Sequence, residues 1–547
     1  MEEWLSGFLK EYKAEYFTAQ ALTITALFFL GLVFILLVKR SLSDAAFVLL
    51  SYPCGLCLYI LSGMFLLVFH IRLTHVNILI TVFLLLSVSY LMSVLLRRSI
   101  SAAPGSSKGL SRIKEYSGAE RAYLLYIKLP SVRFLLSVTA LVLAAALIAT
   151  SGFISVTVSN DSMYHYSLYS RALVKYGFLK SSYDTFLTDV APGSALFGTL
   201  PFMFGFNESF GLQTALNINF LIIFSFALYD TARGQRGMIC GRTCLDRVLT
   251  GLMLLVTAQP FLIISKWAMS NMYFMEFLFI GVFMAYYCFT RSGEKTPEDL
   301  PVLALLFVTL SFFRMEGMAV ALLILLFCVM LSFCVQPREK DKDRVLRVIP
   351  RGTMRVLACL VLIPCSLLYG MYYYRVFVFL TVDAPYTFLN ETKAALQMAA
   401  MLLVLFYFVL PEGKLTAFCD RNMKRILPVG LAVLNLLLFL KDRTLFTQDV
   451  EAFFKNLTGM SGWGVFPVFV LSAVIIIIVC DIIDGERPGL SAVDSFVAAY
   501  ILLTLAVSFA RGDPLQDNVG DSGNRVLFQV VPLIVFTLMQ KMLRLGG

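Results

Sequence analysis

The sequence predicts an all-α polytopic membrane protein with about 13 to 15 transmembrane helices. Of its 547 residues, 59% are hydrophobic and only 15% are charged, whereas soluble domains keep about a quarter of their residues charged. Apolar runs of roughly 18 residues or more recur along the chain, each long enough to cross about 30 Å of hydrocarbon. Because backbone polar groups find no water in lipid, each run is expected to be a helix.

The first 19 residues mix glutamates with lysines, which suits an interfacial amphipathic helix better than a cleavable signal. The first apolar run then stays in place as an anchor. We place about fifteen spans in order, at 20–38, 46–69, 75–96, 133–155, 211–230, 245–265, 271–290, 298–313, 317–335, 356–380, 391–411, 426–440, 463–483, 491–510 and 525–543.

The connectors between these runs alternate in charge. Basic connectors lie at 97–132, 231–244, 336–355 and 412–425, and the positive-inside rule assigns them to the cytoplasm. The other connectors, acidic to neutral, are expected outside; they lie at 156–210, 266–270, 314–316, 381–390, 441–462 and 511–524. The net charge of +10 thus follows from topology, and we expect no nucleic-acid partner.

The chain divides at one linker. Residues 97–132 form a basic cytoplasmic segment with APGSSKG inside it, separating N-terminal extra spans in 1–96 from a transmembrane core in 133–547. The eleven cysteines are scattered and show no metal-binding spacing. No cofactor is therefore indicated by the cysteines.

The long outer loop 156–210 contains the densest polar signal. Asp161 follows a span and can cap a helix, as can Ser162. On a helical period, one stripe carries His165, Tyr169, Leu173 and Tyr176, and another carries Tyr164, Leu168, Arg171 and Lys175. Such a helix would lie in the membrane interface with its cations at phosphate depth. The plainer alternative is that Asp161 only caps the helix and that the cations only anchor it to lipid headgroups.

Several segments resemble GT-C type glycosyltransferases. The run DSMYH at 161–165, followed by Tyr176-Gly177, is similar to the first outer loop of bacterial members, and PGSALFGTLPFMFGFNESFG at 192–211 to their next, re-entrant or interfacial, element. RMEG at 314–317 resembles an Arg-x-Glu-Gly turn between two spans of the family. GDSGNRVLFQVVPLI at 520–534 resembles its entry to a late span, with Arg525 and Pro532 at the matched positions.

The resemblance implies a GT-C type core with catalysis at the outer face of a bacterial cytoplasmic membrane. The donor would be a polyprenyl-phosphate-linked sugar, and the acceptor a lipid, a glycan or a protein. Attack on the anomeric carbon needs a base and a cation at the departing phosphate. We assign Asp161 as the base. Donor phosphate or substrate contacts are assigned to Arg525, Arg314, Glu316, His165, Arg171, Lys175 and Lys266.

The sequence leaves a metal site open. Many relatives have a second acid beside the first, whereas Asp161 has Asn160 and Ser162 as neighbours. Asp184 or Asp189 could supply the second oxygen ligand that a hard divalent cation prefers.

Two other functions remain as alternatives. A transporter or flippase for lipid-linked saccharides predicts midplane charges and two related halves, whereas the sequence shows few such charges and no related halves. A polysaccharide polymerase or ligase usually has a large late outer loop, and 441–462 and 511–524 are modest in length.

Overall fold

The structure is a computed structural model of the whole chain. It describes residues 14–39, 45–101, 167–181, 187–188, 190–204, 210–234, 241–264, 270–291, 296–336, 344–347, 349–382, 389–458, 462–483, 491–512, 515 and 522–545. The fourth predicted span, 133–155, and most of the linker 97–132 lie outside these residues.

The described part is almost entirely helical. Its first half contains α1 Ala14–Lys39, α2 Ala45–Leu49, α3 Ser51–Val68, α4 His75–Ser101, α5 Leu168–Tyr176, α6 Pro192–Met203, α7 Phe210–Gly234, α8 Gly241–Thr257, α9 Gln259–Ile264 and α10 Ser270–Arg291. Next come α11 Thr296–Phe313, α12 Gly317–Leu331, an antiparallel hairpin of β1 Phe333–Gln336 and β2 Arg344–Arg347, and α13 Arg351–Tyr373 with a π-helical continuation, Tyr374–Phe379.

The remaining elements are α14 Glu391–Val409, α15 Lys414–Lys441, α16 Arg443–Thr458, α17 Phe466–Ile483, α18 Ala492–Arg511, α19 Ser522–Leu527, a 3₁₀ turn Phe528–Val530 and α20 Val531–Leu545. Within the described residues, ten helical segments are long and apolar enough to cross a membrane, and four shorter apolar helices accompany them. The predicted class of polytopic helical membrane protein is confirmed, and fourteen of the fifteen predicted spans coincide with helical segments.

Local sequence explains where several helices begin and end. Ser491 caps α18 by accepting from the Asp494 backbone N–H at 3.1 Å, while Asp494 Oδ2 accepts from the Ser491 N–H at 2.8 Å, the reciprocal pattern of a capping box. Asn390 caps α14 through Lys393 N–H at 2.9 Å. Gly177 ends α5 with φ of 77°, and its N–H donates to Leu173 O at 2.7 Å. A residue with a side chain is strained in that left-handed conformation.

Polar contacts at the helix ends divide into two sets. At one end Arg314, between α11 and α12, contacts Asn271 at the start of α10, and Arg375 Nε donates to Val68 O at the end of α3. We call this the Arg314 end. The opposite, Arg351 end contains three ion pairs, which join Lys39 to Asp299, Arg351 to Asp420 and Lys541 to Asp494. This division agrees with the predicted alternation of loops, and the side that faces outside stays a prediction.

The second predicted span lies inside the bundle. Nearly all of α3 is buried, and Tyr52 OH donates to Leu212 O at 3.0 Å. Tyr59 OH and Thr199 Oγ1 of α6 share a hydrogen bond of 2.7 Å. These contacts attach the N-terminal spans directly to the helices that follow the linker.

The short helices at the Arg314 end differ from their predicted placement in part. In α5, Tyr169 and Leu173 are buried and Leu168, Arg171 and Lys175 are exposed, as the two stripes predict, but Tyr176 is exposed. The predicted interfacial or re-entrant segment 192–211 contains α6, and most of its residues are buried between α5, α3 and α11. The predicted outer connector 441–462 contains the helix α16.

Candidate functional site

The turn between α11 and α12 places Arg314 at the centre of a polar cluster. The Arg314 Nε pairs with Glu316 Oε1. Arg314 Nη1 donates to Ser270 Oγ at 3.1 Å and to Asn271 Oδ1 at 2.6 Å. The guanidinium is therefore fixed by side chains from two elements. The Arg314 side chain keeps 16% of its surface exposed and that of Glu316 keeps 4%.

The cluster extends from Asn271 to the last helical segment. Gln529 in the 3₁₀ turn donates from Nε2 to Asn271 Oδ1 at 3.1 Å. Tyr500, on α18, donates its hydroxyl to Gln529 Oε1. The side chains of Asn271, Gln529 and Tyr500 are buried, and the amide oxygens of Asn271 and Gln529 both accept hydrogen bonds. Four parts of the chain thus meet in one hydrogen-bond network around Arg314.

A second group of contacts holds the Arg314 turn itself. Gln397 on α14 donates from Nε2 to Met315 O at 3.1 Å, and Tyr373 OH donates to Gln397 Oε1. Tyr369 OH donates to Ser311 O at the end of α11. Because buried polar groups lose free energy when left without partners, these contacts favour one conformation of the turn and one position for Arg314.

Arg525 lies on α19, between two anchored residues. Asn524 is buried and accepts from Trp463 Nε1 at 2.8 Å. Gln529, about one helical turn after Arg525, bonds to Asn271 of the Arg314 cluster. The structure therefore joins the segments of Arg314 and Arg525, which the sequence assigns to the same phosphate, through Asn271 and Gln529.

The two predicted cations of α5 lie at the same end. The guanidinium of Arg171 stands over the Phe202 ring of α6, with 5.0 Å from Cζ to the ring centroid. Lys175 Nζ lies 5.3 Å from the centroid of Tyr176. The close packing of α5 on α6 includes a hydrogen bond from Ser170 Oγ to Ala195 O at 2.8 Å.

Five of the predicted site residues lie outside the described residues: Asp161, His165, Asp184, Asp189 and Lys266. Their roles, including the catalytic base and a second oxygen ligand for a cation, stay predictions. Among the residues that the structure describes, no group of three or more His, Cys, Asp or Glu side chains could hold a metal ion.

Sequence reasoning missed the buried amides and the tyrosines of the cluster. Asn271, Gln397 and Gln529 each stand in or at the head of an otherwise apolar run. A polar side chain inside a transmembrane helix is rare and needs a partner. That rule, applied to amides as well as charges, would have marked these three positions.

A separate buried cluster surrounds Glu276 of α10. When the side-chain amide of Asn217 in α7 is oriented so that its oxygen and its nitrogen both have partners, the nitrogen donates to Gln213 O at 3.1 Å and to Glu276 Oε1 at 2.8 Å. Tyr273 OH donates to Gln213 Oε1 at 3.1 Å. These contacts join α7 to α10 and give the buried acid a partner on a neighbouring helix.

No protein-family model, curated protein or solved structure matches this chain.

Proposed function

We propose that this protein is a membrane glycosyltransferase that transfers a sugar from a polyprenyl-phosphate-linked donor to an acceptor at the Arg314 end. The observation that carries the proposal is the hydrogen-bond network that connects Arg314 to the segment of Arg525 through Asn271 and Gln529. Two arginines at one end of a helical bundle suit a lipid phosphate, because a guanidinium can donate to two phosphate oxygens.

The fixed geometry of the cluster supports a role in binding the leaving phosphate. Ser270, Asn271 and Glu316 fix the guanidinium of Arg314 before any ligand arrives. Donors that are fixed in advance stabilise a developing charge without reorganising during the reaction. Arg314 is still partly exposed, so a headgroup can reach it. We assign Arg314 and Arg525 to the leaving phosphate and Glu316 to positioning Arg314.

The proposed reaction is a single displacement. An acceptor hydroxyl oxygen forms a bond to the anomeric carbon while the bond from that carbon to the phosphate oxygen breaks. The hydroxyl proton passes to Asp161, and the electron pair of the broken bond stays on the phosphate, whose charge the arginines stabilise. In this proposal His165 orients the acceptor or the base, Arg171, Lys175 and Lys266 contribute further substrate contacts, and the reacting end faces outside. A divalent cation is not required by this scheme.

One experiment separates binding from chemistry. Purified protein in nanodiscs would be given a radiolabelled polyprenyl-phosphate sugar with candidate lipid, glycan and protein acceptors, and binding of a polyprenyl monophosphate would be measured in parallel. Asp161→Asn is expected to bind the monophosphate as wild type does and to lose transfer by about a hundredfold or more. Arg314→Gln is expected to weaken monophosphate binding at least about tenfold.

Arg443→Gln is the matched control, because Arg443 is an exposed arginine at the same end and begins α16. Its binding and transfer should equal those of wild type. Unchanged transfer in Asp161→Asn would remove Asp161 as the base. In closed proteoliposomes, movement of the labelled donor across the bilayer without turnover would favour a flippase instead, and chain extension of the acceptor by repeated units would favour a polymerase.

A further inference from the structure

A row of cations and aromatic rings lies on the surface of the Arg314 end. Four of its cations come from three parts of the chain: Arg72 from the α3–α4 turn, Lys175 and Lys180 from α5 and its following turn, and Arg375 from the π-helical segment. We call this surface the α5 patch. Its stretches 69–80, 168–181 and 374–382 contain no aspartate or glutamate.

Direct contacts make the α5 patch one continuous surface. Lys180 Nζ lies 4.0 Å from the Tyr176 ring centroid and Lys175 Nζ lies 5.3 Å from it. The Leu73 N–H donates to Gly177 O at 3.0 Å. A side chain at Gly177 would begin 2.6 Å from Cγ of Arg72, so Arg72 lies directly against the end of α5.

Stacked rings continue the surface to Arg375. His70 stacks on Phe178 with 4.5 Å between ring centroids and lies 5.9 Å from Phe379. The guanidinium of Arg375 stands 4.7 Å from the centroid of Phe379. Arg171, one turn before Lys175 on the exposed side of α5, extends the row toward α6.

The backbone beneath the α5 patch is unusual in three places. His70 has φ of 58° and Thr381 has φ of 49°. The left-handed region costs a β-branched residue such as Thr381 strain of about 1–3 kcal/mol. Arg375 and Phe379 belong to a π-helix, a form that is found frequently at functional sites. Strained and irregular backbone is thus concentrated where the rings and cations meet.

Apolar side chains beside the row indicate which anion it binds. Ile71, Val378 and Phe379 are exposed next to the cations, and the apolar helices α3, α4 and α13 end or begin there. A soluble anion would leave these side chains in water. A lipid covers them with its acyl chains and brings its phosphate to the cations, which is the arrangement of aromatic and basic residues at a membrane interface.

We propose that the α5 patch binds the headgroups of anionic phospholipids in the leaflet at the Arg314 end. Each cation near an anionic surface strengthens binding by roughly fivefold. The α5 patch shares Arg171 and Lys175 with the substrate contacts of the proposed transferase, but the inference concerns a membrane lipid, and its test measures lipid binding without turnover.

Native mass spectrometry of the full-length protein in detergent tests the proposal, with phosphatidylglycerol as the probe and phosphatidylcholine as the neutral comparison. Glycerol 3-phosphate, which has the phosphate without acyl chains, distinguishes a free phosphate from a lipid. The wild type is expected to prefer phosphatidylglycerol and to bind glycerol 3-phosphate at least about a hundredfold more weakly, because glycerol 3-phosphate lacks the acyl chains that cover the apolar side chains. The triple variant Arg72→Gln, Lys175→Gln, Lys180→Gln is expected to lose phosphatidylglycerol affinity by roughly a hundredfold.

A matched triple variant, Lys441→Gln, Arg443→Gln, Lys455→Gln, removes three exposed cations from α15 and α16 at the same end. It should keep its phosphatidylglycerol affinity within about twofold. An equal loss in both triple variants, or none in the α5 variant, overturns the proposal, and so does tight binding of glycerol 3-phosphate. If the α5 variant does not fold, Lys180→Glu alone serves: Lys180 is exposed, and its reversal should weaken binding by at least about fivefold.

Discussion

Both ends of the bundle contain an arginine that is paired with a carboxylate, and the two pairs have different surroundings. At the Arg351 end, Arg351 and Asp420 come from distant helices, and each keeps 3% of its side-chain surface exposed. At the Arg314 end, Arg314 and Glu316 are two residues apart, and Arg314 is 16% exposed. The first pair joins two helices, and the second fixes a guanidinium that stays partly exposed.

The partners of the two arginines differ as well. Arg351 Nη2 donates to Tyr407 O at 2.8 Å, and Arg355 donates to Phe408 O and Leu410 O at 3.1 and 3.2 Å. These carbonyls lie at the C-terminal end of α14, where the helix has no later N–H groups to donate to them. Both arginines also have side-chain partners: Arg351 donates to Asp420, which accepts from the Tyr407 hydroxyl, and Arg314 donates to Ser270 and to Asn271, which accepts from Gln529. The bonds to helix-end carbonyls tie Arg351 to the backbone of α14, which indicates a structural role.

The largest expected effect is on stability at the Arg351 end. Arg351→Met leaves Asp420 buried without its cation, and removing one member of a buried pair typically costs about 3–5 kcal/mol. Denaturant unfolding in mixed micelles should show this loss, while polyprenyl monophosphate binding by the folded fraction stays unchanged. The double variant Arg351→Met, Asp420→Leu should recover most of the stability. A loss of ligand affinity with normal stability would contradict the structural role.

Arg314→Gln is expected to reduce transfer strongly and stability only modestly, the reverse of Arg351→Met. Because Arg314 is partly exposed, its removal should lower the free energy of unfolding by less than removal of Arg351 does. Loss of one fixed donor to a developing charge should reduce transfer by roughly a hundredfold. Parallel unfolding and transfer measurements on both variants check the comparison. If both variants lose stability equally and transfer is retained in Arg314→Gln, the distinction between the two ends fails.

Substitutions at two glycines, one near each end of the bundle, test how closely the helices pack there. A Cβ on Gly193 in α6 would stand 2.6 Å from Phe312 O, two residues before Arg314, whereas a Cβ on Gly352 in α13 meets nothing within 4 Å. Gly193→Ala should destabilise the protein by about 1–3 kcal/mol, since it forces backbone apart in a packed region. Gly352→Ala should be neutral or stabilise by up to about 1 kcal/mol through helix propensity. Unfolding titrations of both variants test this, and equal effects would contradict the close approach of α6 to α11.

An effect of similar size on stability, with only a small effect on ligand binding, is expected at the anchor beside Arg525. Trp463→Phe removes the Nε1–H that donates to the buried Asn524 Oδ1 and should cost about 1–3 kcal/mol, because the acceptor is left without that partner. If α19 positions Arg525, polyprenyl monophosphate affinity should also fall by a few-fold. Asn435→Leu, which removes hydrogen bonds to Leu431 O of α15 and Leu502 O of α18 rather than to α19, is the control that should leave affinity unchanged.

The sequence by itself determined the class of the protein and most of its helices. Apolar runs in lipid must satisfy their own backbone hydrogen bonds, so length and composition predict each span. The same reasoning located Arg314 and Arg525 at helix ends. These features depend on local chemistry, which a single segment displays.

Only the tertiary structure decided which polar residues meet. Asn271, Gln529 and Tyr500 come from three separate helices, and no spacing in the sequence relates them. Likewise, Arg351 and Arg314 look alike in the sequence, as basic residues at the ends of apolar runs. Their roles differ because hydrogen-bond partners and burial depend on which helices pack together, and packing in three dimensions is a property of the whole chain.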